Sequence, residues 1–264
     1  MTFTPELSIM WFMARSTKRK FICLDCESTG LDPKNDRVIE IAICHFNEKS
    51  DEIFESFESL IQPGCPIPEE SQNVHHITDD MVRDASPFSE VMGRVAHLVD
   101  QSVVVGHGIQ FDIDLIQNEA KRINAPDPFC QCTVIDTLRL ARAYGECPVC
   151  SLQGLRRHFN FDEVGAHRAM GDVITNIQVF RRLAALHKSY EAMMECLSKP
   201  ILLKEMPLGK YRGRPFREIP IQYINWAVHQ KFDSDLLFTL RKEIRNRKIK
   251  TSFQQASNPF CDVF

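Results

Sequence analysis

No stretch of this chain stays apolar for the ~20 consecutive residues that a membrane-crossing helix needs, so no membrane contact is expected. The apolar patch Leu7-Ser-Ile-Met-Trp-Phe-Met13 is short, and its cations (Arg15, Lys18, Arg19, Lys20) follow it. A secretion signal has the reverse charge order, so residues 1–19 are read as an N-terminal extension. Ten cysteines without a secretion signal argue against a disulfide framework and for a reducing cytoplasm. A large excess of either charge is also missing. The net charge is -3, and 44% hydrophobic with 25% charged residues is the composition of a soluble globular protein. At 264 residues the chain has room for one ordinary domain and a smaller one.

The small net charge conceals an asymmetry. Residues 200–250 contain 12 Lys or Arg against 5 acids, which leaves the rest of the chain acidic. A basic appendage on an acidic body points to a polyanionic partner held by the appendage, with acids elsewhere free to bind metal.

The organising stretch is Phe21-Ile-Cys-Leu-Asp-Cys-Glu-Ser-Thr-Gly-Leu31. On a strand, alternation puts Asp25 and Glu27 on one face and Cys26 on the other. Gly30 lets the chain turn away, leaving both carboxylates at the strand's exposed end, as half of a divalent metal site would require. An ordinary strand ending in solvated acids would read the same way, so the rest of the chain must decide.

Arg37 to Phe46 and Ile53 to Ile61 read as two further strands joined by the loop Asn47-Glu-Lys-Ser-Asp51, giving an antiparallel meander. Thr78 is placed to cap a short helix with Asp79 and Asp80 at its positive end. Ser86-Pro87 opens a second helix with Phe88, Val91, Val95 and Leu98 on its apolar stripe. From Gln101 the pattern changes to strand then helix. Val103 to Gly106 leads into a helix through Asp112, Ile113 and Leu115, and Val134 to Thr137 leads into a helix over Leu138 to Tyr144. Such an order predicts an α/β fold with a mixed sheet and helices against it. Asp112 falls just beyond a central strand, where open α/β sheets place their ligands. The segment Gly165-Ala-His-Arg-Ala-Met-Gly-Asp172 opens a last helix with Met170, Val173, Ile174 and Ile177 on its apolar stripe. His167 and Asp172 stand ~140° apart and ~7.5 Å along a helix axis, so they cannot share a metal from one helical face. A His arched over a site that Asp172 reaches from below fits this spacing.

Asp25-Cys-Glu27, His107-x-x-x-Phe-Asp112 and His167-x-Ala-x-x-Asp172, in that order, resemble the three motifs of the DEDDh (DnaQ-like) 3′-to-5′ exonucleases, the family of the epsilon proofreading subunit of bacterial DNA polymerase III. Ser28-Thr-Gly-Leu31, His75-x-Ile-Thr78 and Asp136-Thr-Leu138 agree with it. The resemblance covers residues 20–187 and implies a ribonuclease H-like five-stranded sheet in the order 3-2-1-4-5. It implies two Mg²⁺ or Mn²⁺ ions, with Asp25, Glu27 and Asp172 binding the catalytic one and Asp112 sharing the second. Hydrolysis of a phosphodiester drives one anion onto another, and hard cations held by oxygen answer that repulsion. His167 is implied as the base that takes the proton of the attacking water. Thr29, Leu31, His75, Ile77 and Phe111 are implied to hold the terminal nucleotide, with Leu31 and Ile77 as apolar wedges. Single-stranded or frayed 3′ ends of DNA are therefore the expected partner, together with a DNA polymerase subunit. Two departures concern the grip on that nucleotide. Gly108 stands where the family usually has Asn, and His76 where it often has Gly.

Beyond residues 188–203, read as a linker, residues 204–250 read as a small basic α-rich module and 251–264 as a tail. In the module, cations interleave with aromatics from Lys210 to Trp226, which suggests nucleic-acid docking or a protein contact. The tail lacks the central Leu or Met of a sliding-clamp peptide, so no clamp contact is expected. Cys130, Cys132, Cys147 and Cys150 could form a zinc site if the chain folded back, though ordinary thiols are the favoured reading. The expected function is 3′-to-5′ digestion of DNA in proofreading or repair. The alternatives are trimming of RNA 3′ ends and a nucleic-acid or polymerase adaptor with weak catalysis.

Overall fold

The structure is a computed structural model and describes residues 19–147, 149–162 and 168–256, with the backbone alone for 250–256. The described chain divides into two units, one running to residue 138 and including 151–182, the other comprising 139–150 and the residues from 183 onward. Among the described residues no helix is long and apolar enough to cross a membrane.

In the first unit, strands β1 (Phe21–Ser28), β2 (Val38–Phe46) and β3 (Ile53–Leu60) form the meander. Strands β4 (Val103–Gly106) and β5 (Thr133–Asp136) complete a sheet in the order β3-β2-β1-β4-β5. β1 runs antiparallel to β2 and parallel to β4, which makes the sheet mixed. The helices of this unit are α1 (Glu69–His75), α2 (Asp79–Val82), α3 (Phe88–Val99), α4 (Gln110–Arg122), α6 (Leu152–His158) and α7 (Ala169–Ala184), while α5 (Thr137–Tyr144) begins here and belongs for most of its length to the second unit.

Alternation along β1 determines what each face of the sheet buries. Ile22, Leu24 and Cys26 join Val95 and Leu98 of α3 and Ile113 and Ile116 of α4 in one core. On the other face, Phe21 and Phe46 pack their rings on Phe180 of α7, at centroid distances of 5.7 and 5.8 Å. The sheet therefore lies between helices on both sides, and α7 covers the face that carries Asp25 and Glu27.

Two local expectations change. Helix α1 was not foreseen; it is tied to the segment just after β1, with Ser71 Oγ donating to Thr29 O at 2.7 Å. Thr78 stands at the N-terminus of α2 without its hydroxyl capping the helix.

The second unit has its own core of Met206, Phe216, Ile219, Ile224, Ala227, Leu236 and Leu240. It contains α8 (Tyr190–Ser198), α9 (Ile221–Ala227), α10 (Ser234–Ala256) and two short 3-10 turns, Gly209–Tyr211 and Phe216–Glu218. Residues 188–203 are thus not a plain linker. Ser189 caps α8 by accepting from Ala192 N at 3.2 Å, and Met193 and Leu197 are buried, so the segment has both a helix start and an apolar face. Asp233 caps α10, accepting from the backbone N–H groups of Asp235 and Leu236 at 3.0 Å. Asp235 is wholly buried and is matched by Arg139 Nε at 3.0 Å and Arg142 Nη1 at 3.2 Å.

Candidate metal centre

β1 presents Asp25 and Glu27 on the face covered by α7. That helix is fixed to the strand next to the acids, because Asn176 Nδ2 donates to Cys23 Sγ at 3.5 Å and the Cys23 thiol points to Val173 O at 3.6 Å. Asp172 lies in the first turn of α7. Pinning the helix at Val173 and Asn176 therefore brings Asp172 to the two strand acids. One carboxylate oxygen from each of Asp25, Glu27 and Asp172 lies within 4.8 Å of the others. Three hard oxygen ligands converging in this way suit Mg²⁺ or Mn²⁺ by donor type.

Asp112 enters from the first turn of α4 and is buried, with Oδ1 accepting from Cys26 N at 3.0 Å. Its charge acts on Asp25. Burial, and then the charge of Asp112 and Glu27, hold the Asp25 carboxyl well above the usual carboxylate range. Burial pushes Glu27 up to about 8, with Asp172, Glu40 and Asp112 adding to the repulsion and Arg168 opposing it. Asp112 rises to about 7, again through burial, although the N–H of Cys26 favours its charged form. Without a cation these acids resist ionisation, and a bound divalent ion removes that penalty.

Two contributors escaped the sequence reading. Glu40 on β2 stands opposite Glu27 in the register and is wholly buried. Arg168 holds it with a forked pair, Nε lying 3.0 Å from Oε1, and Ala169 N donates to Oε2 at 2.9 Å. The available signal was one acid inside the otherwise apolar run Val38-Ile-Glu-Ile-Ala-Ile43. Gln153 on α6 donates from Nε2 to Asp172 Oδ1 at 3.2 Å and accepts from Arg156 Nε at 2.8 Å. Nothing in the sequence around Gln153 marked it.

The residues expected to hold a nucleotide fall into different environments. Leu31 is 92% exposed, a large apolar side chain offered to solvent. Phe111 is half-buried against the α3/α4 core. Ile77, expected as a second wedge, is instead 0% exposed, packed with Ile39, Ile67 and Val82, and belongs to the core. Thr29 is buried with its hydroxyl committed, donating to Asp36 Oδ1 at 2.8 Å and accepting from Arg37 N at 3.0 Å. His75 is also buried; its Nδ1 accepts from Ile77 N at 3.0 Å, and Nε2 has no partner among the described residues. Thr29 and His75 therefore shape the loop walls with their side chains. His167 lies outside the described residues.

Both departures from the family pattern occupy left-handed backbone. Gly108 has φ +68° and donates its N–H to Asp136 Oδ1 at 2.9 Å, a conformation that Gly or Asn adopts with least strain. His76, at φ +61°, takes up the conformation that Gly would fill more easily. Two cysteines of the suggested zinc set point to backbone carbonyls. The Cys132 thiol points to Val99 O at 3.0 Å, and in the second unit the Cys147 thiol points to Val149 O at 3.1 Å.

Comparison with known proteins follows the same division. Residues 22–180 match the RNase_T family model, described as "Exonuclease". Residues 195–244 match a model described as "Putative quorum-sensing-regulated virulence factor". The chain is 30% identical over 181 residues to the DNA polymerase III subunit epsilon of Treponema pallidum, covering 67% of this chain and 82% of that one. It is 32% identical over 154 residues to a PolC-type DNA polymerase III of Lacticaseibacillus paracasei, covering 58% of this chain but only 10% of that much longer relative. In fold, it resembles a zinc-bound complex of E. coli ExoI with single-stranded DNA at a TM-score of 0.60 and 19% identity, over 69% of this chain and 43% of that one.

Proposed function

This chain belongs to the DnaQ-like exonuclease family, and we propose that it is a metal-dependent 3′-to-5′ exonuclease of the DEDDh type acting on single-stranded or frayed 3′ ends of DNA. The observation that carries this reading is the convergence of Asp25, Glu27 and Asp172 to within 4.8 Å through their oxygens. Those three would hold one divalent ion, and Asp112 would share a second. Bound there, the ions supply positive charge to the attacking and leaving oxygens of the phosphodiester.

The remaining work falls to side chains. Gln153 holds Asp172 by one oxygen, and Cys26 N holds Asp112, so both acids are oriented before a substrate arrives. The exposed Leu31 would meet the terminal base, and Phe111 would flank the sugar. His167 would take the proton of the attacking water on its imidazole, which titrates near neutral pH. The printed names of the epsilon and PolC-type relatives support a place beside a replicative polymerase, as a proofreading or repair activity.

The test is digestion of 3′- and 5′-labelled single-stranded DNA with Mg²⁺ or Mn²⁺, beside EDTA and the Asp25→Ala variant, with matched RNA in parallel. The expected result is shortening from the 3′ end that needs metal and disappears in Asp25→Ala. Faster digestion of RNA would transfer the proposal to RNA ends. Binding without turnover on either polymer would sink it in favour of an adaptor.

A further inference from the structure

The second unit carries a surface that the proposed reaction does not use. Residues 209–217, Gly-Lys-Tyr-Arg-Gly-Arg-Pro-Phe-Arg, contain four cations and no acid. Phe216 anchors this stretch in the core, whereas Lys210, Arg212, Arg214 and Arg217 are exposed. Arg217 has only Glu218 nearby, at 3.8 Å, and the other three make no ion pair among the described residues. Four like charges crowded on one loop repel one another, and a polyanion relieves that repulsion.

An aromatic row runs beside these cations. Tyr211 and Tyr223 have ring centroids 4.7 Å apart, and Tyr223 and Trp226 5.2 Å apart. Lys210 Nζ sits 5.7 Å from the centre of the Tyr211 ring. Tyr223 and Trp226 are three residues apart on α9 and so share a face, while Ile224 and Ala227 turn into the core. Gly209 lets the loop lie against this row, since a Cβ there would come within 2.9 Å of the Tyr223 hydroxyl. Trp226 nevertheless remains 53% exposed. A large planar ring left in water beside unpaired cations offers stacking and charge together.

We propose that this face binds single-stranded nucleic acid, its bases stacking on Trp226 and Tyr223 and its phosphates neutralised by Lys210, Arg212 and Arg214. Duplex DNA fits less well, because its bases are already stacked and cannot cover the rings. An acidic peptide would answer the charge but not the aromatic row. The choice of a nucleic-acid strand rests in part on the exonuclease reading of the first unit, yet the surface needs neither metal nor a 3′ terminus.

That independence sets the experiment. The full chain carrying Asp25→Ala, in EDTA, is titrated against a fluorescent closed circle of single-stranded oligo-dT, which offers no end to the metal centre. Trp226→Ala is expected to weaken binding about 5- to 100-fold, as the loss of one stacked base would, while Trp226→Phe restores most of it. Lys210→Glu with Arg212→Glu should lower the slope of log K against log salt by about 1.4, at ~0.7 per phosphate contact on a single strand. Thermal melts confirm folding; Trp226, Lys210 and Arg212 are all exposed, so their loss leaves the core intact. Equal affinity in parent and variants, no binding of the circle, or displacement of the circle by poly-Glu as readily as by oligo-dT would each overturn the proposal. If the chain fails to digest DNA but binds the circle through Trp226, the exonuclease reading falls and this one stands. Digestion with circle binding unaffected by Trp226→Ala gives the reverse.

Discussion

Glu27 and Glu40 face each other across the β1–β2 ladder, and Arg168 pairs with Glu40. Two carboxylates directly opposite on adjacent strands repel. The sheet tolerates them because Glu40 is paid off in hydrogen bonds from Arg168 and Ala169 N, which leaves Glu27 to be neutralised by a proton or a metal ion.

Arg168→Ala strips the charge partner from a wholly buried carboxylate and should cost ~1–3 kcal/mol, read as a lower urea midpoint with an unchanged slope. Glu40→Gln together with Arg168→Ala should cost less than the two single changes added together, because no unpaired charge is then left buried.

The acids of the metal centre make metal-free stability depend on pH. Glu27 is raised from 4.5 to about 8 and Asp112 from 3.8 to about 7. The folded chain therefore holds protons that the unfolded chain releases, and their stabilisation is lost as pH rises from about 4 through about 8. In EDTA the Tm should fall across that range, and Mg²⁺ or Mn²⁺ should restore it most at the alkaline end. Asp25→Asn should raise the metal-free Tm at pH 8 and abolish the rise caused by metal. A flat metal-free profile would contradict this account.

Leu31 and Ile77, expected from sequence to act alike, should separate. Ile77→Ala opens a cavity in a fully buried cluster and should cost ~2–4 kcal/mol by chemical denaturation. Leu31→Ala should change stability by less than ~0.5 kcal/mol and instead raise KM for a single-stranded 3′ end.

The two left-handed positions predict opposite substitutions. Among the described residues a Cβ at Gly108 would meet only Leu138 Cδ2, at 3.9 Å, so Gly108→Asn should fold normally and lower KM by adding a side-chain amide to the site. Gly108→Val should lose ~1–2 kcal/mol, since a β-branched residue resists positive φ. His76→Gly should gain ~0.5–1 kcal/mol by relieving the same strain.

Much of the first unit was legible in the chain because its signals are local. Alternation in Phe21–Leu31 put Asp25 and Glu27 on one face, the β-branched runs after Arg37 and Gln101 marked strands, and the three motifs stood in order. The strand order followed from the family resemblance, and the sheet adopts it. What sequence could not supply was depth and pairing across distance. Ile77 and Leu31 are both apolar loop residues; only packing against Ile39, Ile67 and Val82 buried one and left the other in water. Glu40 looked like a polar interruption until the register set it against Glu27 and brought Arg168 to it from 128 residues away. Gln153 reached Asp172 only because α6 and α7 fold beside the same sheet end. Local periodicity follows from backbone geometry and can be read one residue at a time. Burial and ion pairing depend on which distant segments share a volume, and only the folded chain decides that.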